Sequence, residues 1–187
     1  DVTVFCICNG ERPGSKEVSA GRVFGYKDNC ENAGVKWKIQ NNADLSLEYN
    51  DTVSNVCGII EHFEPEVVYT HNISDLNNDH RIVAEAALVA CRPKPDSTVK
   101  SLYFFEIPSS TDWTFNQVQP VFEPNTYVEL GEDVMKLKQI ALSRYDTETY
   151  EYPDARSVEA MTTLAKYRGY QVGYNYAEAF KLVFQKS

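Results

Sequence analysis

Only three histidines occur in the chain, and two of them, His71 and His80, bracket Asp75 and Asp79 in the segment THNISDLNNDHR, Thr70 to Arg81. Neutral imidazole and carboxylate are suitable donors for a catalytic zinc ion, which takes about three protein ligands and keeps an open position for water. The same residues also have an ordinary structural explanation, with Asp79 as a helix N-cap, Asp75 as a turn former and both imidazoles as loop side chains. Spacing alone leaves both explanations open. The third histidine, His62, falls on the polar face of an expected helix and is read as structural.

The elements around this segment decide whether its side chains can converge. Glu66 to Thr70 reads as a strand entered through Pro65, and Asp79 to Cys91 as a helix with Ile82, Ala86 and Val89 on one face, stopped by Pro93. His71 therefore follows a strand, and His80 stands at a helix start. Upstream, residues 2–8, VTVFCIC, read as a buried strand, residues 9–14 as a turn-rich loop, and Lys16 to Ala33 as a helix weakened by Gly21 and Gly25. Val35 to Ile39 alternates as a short strand, and Asp51 to Phe63 reads as a helix capped by Asp51 or Thr52. Downstream, strands are expected at Ser101 to Ile107, Asn125 to Leu130 and Ala179 to Gln185. Helices are expected at Asp133 to Arg144, on Val134, Leu137 and Ala141, and at Arg156 to Arg168, on Val158, Met161 and Ala165. Strand–helix alternation implies an α/β class: a Rossmann-like, three-layer α/β/α arrangement on a mostly parallel sheet. In such sheets ligands bind beyond the carboxyl ends of the strands, which is where the loop after Thr70 lies.

Composition narrows the class further. A chain of 187 residues, 43% hydrophobic and 12% aromatic, can bury one sizeable core, so one domain over residues 1–187 is expected. A formal charge of −9 with no Lys/Arg cluster argues against a nucleic-acid partner. The apolar stretches, such as Ala84 to Cys91, are far shorter than the roughly 18 residues a membrane span needs. Five cysteines with no CxxC pair read as free thiols in a reducing compartment, which implies a cytoplasmic protein. The chain opens directly on an apolar strand at Asp1, which predicts that part of the domain precedes it.

Thr70-His71 followed by Asp75-Leu76-Asn77-Asn78-Asp79-His80-Arg81 resembles the second metal motif of the LmbE-like, PIG-L-type zinc N-deacetylases. Further stretches agree in order: Ala90-Cys91-Arg92-Pro93, Ser110-Thr111-Asp112-Trp113, Phe122-Glu123-Pro124-Asn125, Arg156-Ser157, Arg168-Gly169 and Ala177-Glu178-Ala179-Phe180. The resemblance implies removal of acetyl from an N-acetylated sugar by a zinc-activated water, with one Zn2+ per complete site. It implies His80 as a zinc ligand, Asp79 as the carboxylate that orients an imidazole, and His71 as the acid that protonates the leaving amine. Arg22, Asn77, Trp113, Arg156 and Ser157 fall on its substrate side. The ordinary alternatives are a solvated helix charge for Arg22, a loop cover for Trp113 and a helix cap for Ser157.

Two departures are visible. The family's first motif, Ala-His-Pro-Asp-Asp-Glu, which carries two zinc ligands and the general base, has no counterpart in this sequence. Asp1 to Cys8 resembles the family's second strand, so one βα unit of about 30–40 residues is expected upstream. Many members also read His-Pro-Asp-His where this chain has Asn77-Asn78-Asp79-His80, and a family His falls on Asp154. A noncatalytic α/β module that binds a sugar or nucleotide is the alternative from a different class. A dinucleotide oxidoreductase is disfavoured because no GxGxxG follows a strand. Self-association into a homo-oligomer stays open.

Overall fold

In the computed structural model, residues 1–11, 16–115, 117 and 120–187 are described, with the backbone alone over 16–19. The end of the expected turn at residues 12–14 and the Val18 side chain lie outside these. The elements are β1 (Thr3–Cys8), α1 (Lys16–Asn32), β2 (Lys36–Asn42), α2 (Tyr49–Phe63), β3 (Val67–His71), α3 (Asn78–Ala90), β4 (Ser101–Phe105), a 3-10 turn (Asp112–Thr114), β5 (Thr126–Glu129), α4 (Glu132–Ser143), α5 (Val158–Tyr170) and β6 (Ala177–Gln185). Every strand and helix expected from the sequence is present, and the class is α/β.

The chain forms two compact units. The first comprises Asp1–Ser46 and Glu129–Tyr176. Its strands β1 and β2 pair in parallel, Thr3 against Lys36 through Cys6 against Ile39. The Tyr26 hydroxyl lies 2.8 Å from the Val4 carbonyl and 3.1 Å from that of Lys38, so α1 is pinned to both strands. Gly25 is needed there: a Cβ at this position would come within 2.9 Å of the Tyr145 ring and 3.1 Å of the Arg144 carbonyl. The glycine that weakens α1 as a helix former is what lets the helix approach this closely. Leu130, Met135, Met161 and Ala165 form the core, with Leu142 and Tyr176 against it. On α4 this reverses the expected face, for Val134 and Leu137 are exposed while Met135 points inward. Nor is β1 the fully buried strand its composition implies: Val2 and Val4 remain 61% and 37% exposed. Among the described residues β1 pairs with β2 alone.

The second unit comprises Leu47–Val128 and Ala177–Ser187. Its sheet runs β3-β4-β6-β5. β3 and β4 are parallel, Val67 against Ser101 through His71 against Phe105, and β6 runs antiparallel to β4. Among the described residues the strands thus fall into a parallel pair and a mixed four-stranded sheet. Leu102, Val99 and Cys91 form the fully buried core, joined by Ile60, Val68, Leu88 and Phe184. Burying a side chain such as Leu102 stabilises by about 2 kcal/mol. Helix α2 starts at Tyr49 with Glu48 at its cap position, so Asp51 sits in the first turn and Thr52 donates to the Glu48 carbonyl at 2.8 Å instead of capping. None of the five cysteines is in a disulfide, and Cys30 and Cys91 are buried. Among the described residues, no helix is long and apolar enough to cross a membrane.

Candidate functional site

Strand β3 ends at His71, and the chain then makes a turn whose polar side chains are almost wholly buried: Asn72, Ser74 and Asp75 are 1%, 2% and 0% exposed. Burial of so many polar groups is costly unless each is paired. The pairing is extensive. Asn72 Nδ2 donates to Ser74 Oγ at 2.8 Å, and Ser74 Oγ to the Pro120 carbonyl. Asp75 Oδ1 accepts from the Asn77 N–H at 2.9 Å, and its Oδ2 from Thr111 Oγ1 at 3.2 Å. Arg81 Nη1 reaches back from α3 to the carbonyls of Asp75, at 2.7 Å, and Leu76, at 2.8 Å. The Leu76 N–H donates to the Ser110 carbonyl at 3.0 Å, which fastens the turn to the loop after β4. Asn77 caps α3, its side-chain oxygen accepting from the Asp79 N–H at 2.9 Å.

This turn brings the end of β3 against the start of α3. The rings of His71 and His80 stack, with centroids 4.1 Å apart and planes inclined by 17°, and His71 also packs on Phe105 at 5.0 Å. Nδ1 of His80 lies 3.2 Å from Asp75 Oδ1. The approach is poorly aligned for a hydrogen bond, so the contact is mainly electrostatic attraction. Burial would raise the Asp75 pKa, but the His80 contact, the Asn77 N–H and the two nearby imidazoles outweigh it and hold the carboxyl below its ordinary range. The His71 pKa also falls, here toward the neutral form: burial, reinforced by His80 and only partly opposed by Asp75, pushes it down to about 3. His71 is neutral near pH 7, and its buried Nδ1 has no hydrogen-bond partner.

The structure thus places three expected residues, His71, His80 and Asp79, in one neighbourhood, and adds Asp75 as the carboxylate facing His80. Asp79 is buried at 4% exposure and its Oδ1 accepts from the Leu47 N–H at 3.4 Å. Asn77 serves as the cap. Trp113 lies in the 3-10 turn with 43% of its surface exposed, which leaves its ring open on one side instead of covering core. The Asp75 role was not drawn from the sequence; its signal was the Asp-x-Asn pattern, in which a carboxylate folds back on the N–H two residues on. Among the described residues no group of three or more His, Cys, Asp or Glu is arranged to hold a metal ion. His80 and its carboxylate fit one corner of a zinc site and do not complete one.

A separate polar cluster lies in the first unit. Arg22 on α1 donates through Nε to Glu148 Oε1 at 2.7 Å, through Nη2 to the same oxygen, and through Nη1 to Asp44 Oδ2 at 3.1 Å. Arg156 Nη1 donates to Glu148 Oε2 at 2.8 Å, and its guanidinium sits 4.6 Å above the Tyr150 ring. Asp154, at the family's His position, accepts the Arg156 N–H at 2.8 Å. Ser157 is 2% exposed and caps α5, accepting from the Ala160 N–H at 3.0 Å. Sequence reasoning did not single out Glu148, which sits unmarked in a run of acidic and aromatic residues.

No family model matches the chain, and no curated protein matches it. Solved structures do. An N,N'-diacetylchitobiose deacetylase from Pyrococcus horikoshii superposes with a TM-score of 0.74 at 18% identity, over 98% of this chain and 73% of that one. The 4-carboxy-2-hydroxymuconate hydratase GalB from Pseudomonas putida gives 0.70 at 22% identity, over 99% and 85%. The zinc-inhibited form of the teicoplanin deacetylase Orf2 gives 0.71 at 13% identity, over 100% and 88%. One scaffold therefore supports both deacetylation and hydration, and likeness at this level of identity speaks for the scaffold. The chain has the LmbE-like α/β fold that these proteins share.

Proposed function

We propose that the chain acts as a single domain of a cytoplasmic, zinc-dependent N-deacetylase that removes acetyl from an N-acetylated sugar conjugate. The observation that carries this reading is the constellation of buried Asp75 with the part-buried His80 and His71 at the carboxyl end of a parallel strand, in a fold that deacetylases share. Asp75 draws the His80 proton to Nδ1, which leaves the other ring nitrogen as the lone-pair donor; carboxylates orient metal-binding imidazoles in this way. The resemblance assigns the remaining donors to the first motif. Zinc, when bound, would polarise the acetamide carbonyl and acidify a water.

His71, neutral in the free chain, is the proposed proton donor to the leaving amine. Being neutral, it would first take up the proton that the attacking water loses and then pass it to the amine nitrogen as the C–N bond breaks. Asp79 would hold the start of α3, and so His80, through its bond to the Leu47 N–H. The half-exposed Trp113 indole would offer a flat face to a pyranose, and the resemblance puts Arg156 on the substrate side as a hydrogen-bonding fork. Asn77 and Ser157 act by shaping the helix starts they cap, and Arg22 by holding Glu148.

Zinc content and acetate release test this together. The protein expressed from its whole reading frame should hold about one zinc per chain, as catalytic sites of this type do, and should release acetate from an N-acetylhexosamine conjugate. The absence of a three-donor cluster among the described residues favours a second reading, a noncatalytic module that binds a sugar or nucleotide. That reading requires sugar binding with neither zinc nor acetate.

A further inference from the structure

The cluster around Glu148 bears on what kind of sugar is recognised. Glu148 divides its two oxygens between two arginines, Oε1 to Arg22 and Oε2 to Arg156. Arg22 is only 16% exposed, and its Nε, Nη1 and Nη2 are all engaged by Glu148, Asp44 and, at 3.4 Å, the Gly10 carbonyl. Arg156 is different: it is 36% exposed, its Nη1 alone is bonded, and its buried Nε has no hydrogen-bond partner, with Asp154 Oδ1 at 3.9 Å. One guanidinium is thus consumed as an anchor and the other is held by one corner, over Tyr150. Two positive groups stand among three carboxylates, Glu148, Asp44 and Asp154. An unmatched arginine pair would bind a phosphate bidentately and strongly. Here an incoming dianion meets a neutralised pair with further carboxylates behind it. A hydroxyl or amide oxygen carries no such penalty and needs only a directed N–H.

We infer that Glu148 is a positioning residue that fixes Arg156 and cancels its charge, so that the free N–H groups of Arg156 select an uncharged N-acetylated sugar over a phosphorylated one. The inference rests on the proposed function, which places Arg156 on the substrate side. Glu148→Gln keeps the shape and removes the charge; Glu148→Asp keeps the charge.

The test compares a β-linked N-acetylglucosamine disaccharide with N-acetylglucosamine 6-phosphate, by kcat/KM for acetate release and by isothermal titration, on the zinc-loaded protein of the whole reading frame. The wild type should prefer the neutral sugar. In Glu148→Gln the neutral-to-phosphate ratio should fall by about three- to fivefold, the scale of one lost surface charge pairing. The fall should come from a higher KM for the neutral sugar and tighter phosphate binding, with kcat on the neutral sugar little changed. The gained phosphate affinity should fade at high salt, and Glu148→Asp should restore the wild-type ratio. Equal handling of both sugars by the wild type, which needs no variant, overturns the inference, as does an unchanged ratio in a folded Glu148→Gln enzyme. Loss of all binding and hydrolysis of either sugar by the wild type would instead remove the proposed function, and the inference with it.

Discussion

Replacing Asp75 by alanine should destabilise the second unit by about 3 kcal/mol, and the figure follows from which partners are left behind. Asp75 is fully buried, and its carboxylate accepts from two donors besides facing His80. The Thr111 hydroxyl is buried, so losing its acceptor costs about 2 kcal/mol, within the usual range for an orphaned buried donor. The Asn77 N–H is only partly buried and can recover a water, so about 1 kcal/mol is assigned to it. Arg81 binds the main-chain carbonyl of Asp75, and that bond survives the substitution, which confines the loss to the turn. Asp75→Asn keeps one acceptor oxygen and the volume and should cost about half as much. Urea unfolding at pH 7 in the presence of a chelator, followed by circular dichroism, gives the difference directly. A cycle with Thr111→Val isolates the shared bond: the double variant should lose about 1 kcal/mol less than the two single losses together. An Asp75→Ala protein within 0.5 kcal/mol of wild type, a figure at the edge of ordinary surface substitutions at about that size, or an additive cycle would refute the account of the turn. In the zinc-loaded protein the same variant should weaken metal binding by about 10–100-fold, as loss of an orienting carboxylate does.

The lowered pKa of His71 makes the metal-free fold acid-sensitive in a defined window. Its folded value of about 3 lies below the ordinary 6.5, so the unfolded chain takes the proton first. The stabilisation is complete above about pH 6.5 and falls by up to about 1.4 kcal/mol per pH unit as the pH drops towards 3. His71→Asn should flatten that slope between pH 6.5 and 5, measured from urea midpoints; a slope equal to wild type would count against the burial argument. Gly169→Ala should destabilise by about 1–3 kcal/mol, because a Cβ there would lie 2.7 Å from the Tyr174 carbonyl and 2.9 Å from the Tyr176 backbone, none of it able to yield cheaply. The thermal midpoint decides, and an unchanged one would contradict the close approach. Burial pushes the Cys91 thiol up to about 12, so in the folded chain it should resist iodoacetamide at pH 8 and react once urea is added. Arg156→Ala should lower kcat/KM for an N-acetylated sugar by about tenfold, the worth of one charge-assisted hydrogen bond; unchanged kinetics would remove it from the substrate side.

Element types were legible because periodicity and turn residues report them locally. Val67 to Thr70 can be little but a strand after Pro65, and the run ending at Cys91 stops where Pro93 removes a donor. Which face turns inward was harder. On α4 the sequence offers two apolar stripes, Val134 with Leu137 and Met135 with Leu142, and only tertiary packing chooses the second. Strand direction at the end of the chain was not legible for a similar reason: nothing local distinguishes a closing strand that runs parallel from one that runs antiparallel, and β6 is antiparallel. The exact start of α2 was missed because Asp51 and Thr52 have the composition of a cap, yet the chain was already helical at Tyr49.

The site shows most plainly what sequence adjacency cannot supply. Asp79 precedes His80 immediately, and consecutive residues on a helix point about 100° apart, which sets neighbouring side chains in different directions. The carboxylate that meets His80 Nδ1 belongs to Asp75, five positions earlier, because the turn capped by Asn77 folds that stretch back over the helix start. That turn is held by groups from outside it, Thr111 from the loop after β4 and Arg81 from α3. The pairing of His71 with His80 likewise depends on a strand end and a helix start meeting at 4.1 Å. Residue types within THNISDLNNDHR are therefore enough to nominate the chemistry, whereas the roles within it are set by three elements closing on one turn. A substitution at Thr111, which no motif marks as catalytic, should accordingly disturb the imidazole pair as surely as one inside the segment.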